Sequence, residues 1–93
     1  LAEELVDKIG DIQFAYVIGD YARGNDSGLI DLVLVGNVDD KKLKGMIAKT
    51  EDLISRKIRT LVLSPKDMEK LNNRLDIKHA LCIWRKETIM NSI

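Results

Sequence analysis

Asp31 stands inside the apolar run Leu29 to Val35, LIDLVLV. A charge taken out of water without a partner is costly. A carboxylate in such a strand therefore belongs either to a functional site or to a paired structural ion. The residues before it enlarge the first possibility. A strand ends at Gly19, and a polar loop, Asp20 to Gly28 (DYARGNDSG), leads into the strand of Asp31. That loop holds the acid Asp20 and one base, Arg23, near the flexible Gly19 and Gly24, with a second acid, Asp26, further along it. Arg23 could meet a phosphate or brace the loop. Asp20 follows the first strand and Asp31 lies on its neighbour, so the two carboxylates could come together.

Other chemistries are excluded by what the chain lacks. Cys82 and His79 are each the sole residue of their kind, so there is no internal disulfide and no zinc site of the His/Cys type. Fifteen basic and fifteen acidic residues cancel, leaving no electrostatic footprint for nucleic acid at chain level. Lys41, Lys42, Lys44 and Lys49 are the one basic concentration, and they read as a solvated helix face. No apolar run approaches membrane-spanning length and no signal peptide is visible, so a cytoplasmic location is expected. The chain starts at Leu1, and the expectation is one domain taken from a longer polypeptide.

The elements that must position Asp20, Arg23 and Asp31 follow from periodicity. Ala2, Leu5, Val6 and Ile9 give a short helix with Gly10 as its C-cap. Ile12 to Ile18 is a strand with Ile12, Phe14, Tyr16 and Ile18 on one face and Gln13, Ala15 and Val17 on the other. Tyr21 to Gly24 is a helical turn with Asp20 as N-cap, and Asn25 to Gly28 is turn chemistry. Leu29 to Val35 puts Leu29, Asp31, Val33 and Val35 on one face, and Gly36-Asn37 ends it. Asp39 or Asp40 caps a long helix to about Arg56, with a stripe of Leu43, Met46, Ile47, Thr50, Leu53 and Ile54. Gly45 inside it costs about 1 kcal/mol relative to alanine, which a close packing contact would explain. Lys57 to Leu63 is a third strand with Arg59, Leu61 and Leu63 on one face. Ser64-Pro65-Lys66-Asp67 starts a helix with Met68, Leu71 and Leu75 inward. Ile77 to Trp84 reads as a fourth strand with Ala80, Cys82 and Trp84 together, and Arg85 to Ile93 as a weakly structured tail. The order predicts an α+β fold, a mixed sheet of about four strands flanked by helices. Its first two strands are antiparallel, and the long helix is a crossover to a parallel third.

The central stretch resembles the minimal nucleotidyltransferases of the polymerase-beta-like superfamily. Their pattern is a strand, Gly-Ser, a turn often containing Ala-Arg-Gly, Asp-x-Asp on the next strand, and a third carboxylate on a later strand. Two acids at i and i+2 point to one side and hold Mg²⁺, which clamps the triphosphate and activates the attacking hydroxyl. Gly19, Ala22, Arg23 and Gly24 match, and Asp31 matches the second acid. Gly36 to Asp39 and Leu63-Ser64-Pro65 resemble a subgroup in which such a domain follows a winged-helix DNA-binding domain in transcriptional regulators. The resemblance implies a nucleotide-binding turn at Gly19, Asp20, Arg23 and Gly24, with an upstream DNA-binding domain as partner. The balanced charge and the lack of a long apolar run lead to the expectation of no direct nucleic-acid binding by this domain and no membrane, with a homodimer as one assembly.

The departures point away from catalysis. The serine position is Asp20, the first acid of the pair is Leu29, and the third falls at Arg59. Asp31 is then a vestige of the metal site, and one carboxylate cannot hold two Mg²⁺ ions. The expected reading is a degenerate, non-catalytic domain used for regulation or interaction, with no cofactor. The alternative is an active Mg²⁺-dependent enzyme with a rearranged site on Asp20 and Asp31, and a third is ligand binding without chemistry. Arginine at the third-carboxylate position predicts an Arg59–Asp31 salt bridge, shared with Asp20, in which a fixed cation stands where Mg²⁺ would be.

Overall fold

The computed structural model describes residues 2–86, with side chains from Val6 onward. Its elements are α1 (Ala2–Ile9), β1 (Gly10–Ile18), β2 (Leu29–Val38), α2 (Asp40–Ile54), β3 (Lys57–Leu63), α3 (Pro65–Leu71), a 3₁₀ turn (Ile77–His79) and β4 (Leu81–Arg85). The four strands form one sheet in the order β3-β2-β1-β4. β1 pairs antiparallel with β2 and β4, while β2 and β3 are parallel across the α2 crossover. The mixed α+β sheet flanked by helices is thus the architecture its sequence predicts. The part of the expected tail beyond Lys86 lies outside the described residues.

Two apolar layers lie on opposite faces. Ile9, Ile12, Ala15, Leu34 and Leu43 are buried on the α2 side, joined by Val6, Leu32, Met46, Ile47 and Trp84. Val33, Val35 and Leu63 are buried on the α3 side with Phe14, Tyr16, Ile18, Met68, Leu71 and Leu75. The stacked Phe14 and Tyr16 rings, 5.8 Å apart, extend the second layer. α2 does not fill the first layer. An apolar cavity of about 250 Å³ remains between it and the sheet, lined by Ala15, Val17, Leu34, Met46, Ile47 and Ile83 among others.

Helix termini follow the capping residues. The Asp39 carboxylate accepts from the Lys42 amide at 3.1 Å and starts α2. The Ser64 hydroxyl accepts from the Asp67 amide at 3.0 Å, with Pro65 at the first position of α3. α2 stops at Ile54, two residues early, because Ser55 adopts a left-handed conformation at φ 54°.

Several sequence expectations fail, chiefly at bulges. β1 shifts register against β2 between Ile12 and Phe14. The extra residue, Gln13, turns Ile12 to the α2 face with Ala15, away from Phe14 and Tyr16. β4 shifts against β1 so that Trp84 faces Ala15 and Cys82 faces Tyr16. Cys82 and Trp84 therefore lie on opposite faces, and Cys82 is exposed. Trp84 packs on the α2 side and donates its indole N–H to the Ile12 carbonyl at 3.2 Å. The strand begins at Leu81, because Ile77–His79 forms a 3₁₀ turn. Gly10 opens β1 instead of capping α1, and β2 runs through Gly36-Asn37 to Val38. Arg85 closes β4, and the Lys86 amide bonds the Gln13 carbonyl at 2.9 Å. Leu53 is 84% exposed and lies off the α2 stripe. Gly45 has no packing contact to explain it, since a Cβ there would meet nothing within 4 Å.

Candidate functional site

The β1–β2 connection begins where Gly19 takes φ +76°, a left-handed conformation that side chains resist. A Cβ on Gly19 would come within 3.0 Å of Asp31 Oδ2. The bare glycine lets the chain pass directly over the strand carboxylate. The Arg23 amide bonds the Gly19 and Asp20 carbonyls at 3.2 and 3.1 Å, and the Asn25 amide bonds the Asp20 carbonyl at 2.8 Å. The expected turn is present. Its cap is not a side chain, because the Asp20 carboxylate bonds the Arg23 guanidinium instead.

Asp31 is half-buried, with 23% of its side chain exposed, so the strand does not enclose it fully. Parallel register puts Asp31 opposite Arg59 and Leu29 opposite Lys57. Arg59 forks onto the carboxylate, Nε to Oδ1 at 2.6 Å and Nη2 to Oδ2 at 3.2 Å. The carboxylate in turn holds the guanidinium above its ordinary value. The predicted ion pair is present. Its sharing with Asp20 is not, because Asp20 is claimed by Arg23 at 3.1 Å.

Two more arginines close the rim. Arg23 spans Asp20 and Asp76, the latter at 2.9 Å, and so ties the loop to the segment before the 3₁₀ turn. It braces the loop, as weighed from the sequence. Asp76 also bonds His79 Nδ1 at 2.9 Å, which places His79 in a surface turn rather than a strand. Those two bonds, His79 first and then Arg23, hold the Asp76 carboxyl below the usual range. At the far end of the loop Asp26 receives Arg56, with Nε at 3.0 and 2.9 Å from its two oxygens and Nη2 also bonded. Arg56 and the Gly28 amide hold the Asp26 carboxyl low. Arg56 further donates to the Ile54 carbonyl at 2.8 Å and lies 6.0 Å from the Tyr21 ring centre. Four aspartates, Asp20, Asp26, Asp31 and Asp76, are thus each paired with one of three arginines, Arg23 being shared by Asp20 and Asp76. The roles of Asp26, Arg56 and Asp76 escaped sequence reading. Asp26 and Arg56 are 30 residues apart, and Arg23 and Asp76 are 53 apart, so no local pattern pairs them.

In this arrangement the two acids of the rearranged-site reading, Asp31 and Asp20, are engaged by arginines. Among the described residues no three His, Cys, Asp or Glu side chains gather as metal ligands. Gly24 points no side chain at the site, and nothing lies within 4 Å of where one would be.

The sheet order, the parallel crossover and the glycine turn over a strand carboxylate define a nucleotidyltransferase-like fold. Solved structures carry the same fold. A mutant of the toxin-antitoxin pair MntA-HpeT superposes with a TM-score of 0.65 at 13% identity, over 92% of this chain and 71% of that one. A second mutant of that pair gives 0.64 at 15% identity over 92% and 70%. A toxin-antitoxin crystallised with AMP-PNP gives 0.64 at 14% identity over 92% and 71%. No protein-family model and no curated protein matches the sequence.

Proposed function

We infer that this domain is a non-catalytic nucleotidyltransferase-fold module that regulates or docks with a partner. The observation that carries the reading is the fork of Arg59 on Asp31. By the resemblance, Arg59 occupies the third-carboxylate position and Leu29 the first of the acidic pair. A cation fixed by hydrogen bonds supplies charge balance there but has no open coordination position for a phosphate oxygen. Asp20, where the family places a hydroxyl donor, puts an acceptor at the turn. Function follows the site rather than the fold.

The partner in this reading is a winged-helix DNA-binding domain of the same polypeptide, so that the module acts within a transcriptional regulator. The solved neighbours are described as toxin–antitoxin assemblies, which supports an interaction role for the fold in general. No described helix is long and apolar enough to cross a membrane.

The test is calorimetry with ATP and Mg²⁺, followed by a radiolabel transfer assay. The expected result is no transfer to any protein or hydroxyl acceptor. Transfer that disappears in Asp31→Ala and in Asp20→Ala would overturn the reading in favour of a rearranged Mg²⁺ site on those two acids.

A further inference from the structure

α2 spends a helix-interior position on glycine with no use for it among the described residues. Gly45 is exposed and is not left-handed, and a Cβ there would touch nothing. Glycine in a helix interior weakens the helix, and a close approach of another backbone is the usual physical compensation. Within the described residues no such backbone exists. The same face of α2 carries Lys42, Lys49 and Leu53, at spacings of three, four and four residues through Gly45. Leu53 is the most exposed large apolar side chain described, at 84%. Together with Asp7, Lys8 and Ile9 of α1, these residues line a groove of about 610 Å³ between the two helices.

We propose that this α1–α2 groove docks an amphipathic, acid-flanked helix of a partner protein, seated across Gly45. Gly45 lets the incoming backbone approach α2 closely. Met46 and Leu53 supply the apolar seam, with the buried Ile9 beneath it. Lys8, Lys42 and Lys49 form the rim, and their ammonium groups pair with no acid among the described residues. Among the described residues, Asp7 is the one acid lining the groove. That charge selects the occupant. A second copy meeting α2 against α2 across a two-fold axis would bring Lys42 and Lys49 against their own equivalents, whereas glutamate or aspartate flanks complement them. The groove is on the α2 face of the sheet, and Asp31 and Arg59 lie on the face of Val33 and Val35. The proposal therefore stands whether or not the Asp31 site is catalytic.

The experiment is heteronuclear NMR of the whole chain titrated with two synthetic helical peptides. They share one leucine seam and differ only in flanks, glutamate in one and lysine in the other. The glutamate peptide is expected to shift the amides of Lys42, Gly45, Lys49 and Leu53, and to weaken about threefold or more between about 0.05 and 0.3 M salt. The lysine peptide is expected not to bind. Gly45→Leu favours the helix, so a loss of roughly tenfold in affinity would report blocked approach rather than unfolding. Absence of groove shifts, equal binding of both peptides, or an unaffected Gly45→Leu variant would each overturn the proposal. So would sedimentation showing a dimer that Gly45→Leu dissociates, which would assign the face to a second copy.

Discussion

Replacing Gly19 by alanine tests the turn over Asp31 through two separable effects. The first is conformational. At φ +76° an L-residue is strained by about 1–2 kcal/mol, less about 0.4–1 kcal/mol because alanine restricts the unfolded chain. The second is contact. The new Cβ would sit 3.0 Å from Asp31 Oδ2, so the carboxylate must yield by a few tenths of an ångström. That oxygen also accepts from Arg59 Nη2 at 3.2 Å, so the fork is disturbed too. A net loss of about 1–2 kcal/mol is expected, which for a domain of this length lowers the melting midpoint by roughly 5–15 °C. The assay is thermal unfolding by circular dichroism of the parent, Gly19→Ala, Asp31→Ala and the double variant. In the Asp31→Ala background the contact disappears and the backbone strain remains, so the penalty should shrink without vanishing. An unchanged midpoint in the single variant would refute the left-handed turn. A penalty equally large without Asp31 would refute the close approach.

Gly45→Ala should raise stability by about 0.5–1 kcal/mol in urea unfolding, since no neighbour within 4 Å opposes the methyl. The cavity under α2 makes a contrasting pair. Ile12→Ala, at a site 2% exposed, should cost about 2–5 kcal/mol, whereas Ala15→Val should be neutral or stabilising by up to about 1 kcal/mol because its methyls enter existing space. Stability should also fall in acid. The folded-state pKa values of Asp26 and Asp76 are depressed, so their contribution is complete above the ordinary carboxylate range and is lost as pH falls through the lowered values. Denaturant midpoints measured from neutral pH downward should show this loss, and Asp26→Asn with Asp76→Asn should flatten it.

The sequence made legible whatever rests on local chemistry. Asp39 and Ser64 announced their helices because their side chains bond amides three residues on. The Arg59–Asp31 pair was readable through the resemblance, which places Arg59 at a position whose side chain meets that of Asp31 across two neighbouring strands. Bulges were not readable. One inserted residue at Gln13 reverses Ile12, marked only by Gly36 on the facing strand, and the shift in β4 separates Cys82 from Trp84 with no glycine or proline to mark it. The rim pairs of Asp26 with Arg56 and of Asp76 with Arg23 depend on tertiary closure. A candidate site assembled from single residues therefore came out smaller than the one the fold builds. The burial of Asp31 was overstated for a related reason. Apolar neighbours along a strand say little about how far an overlying loop covers its end.

The position of β4 has a consequence for how the chain reaches this state. β1 is an inner strand, but its outer neighbour arrives late, and the bond from Trp84 to Ile12 spans 72 residues. The hairpin of β1 and β2 forms from near neighbours, and β3 can add through the α2 crossover, before β4 is available. Until then one edge of β1 keeps its unpaired amides and carbonyls open to any passing strand. Closing so distant a contact is slow, so the docking of β4 is expected to be a late folding event. The period before it is when the chain is most exposed to aggregation, during synthesis and refolding alike.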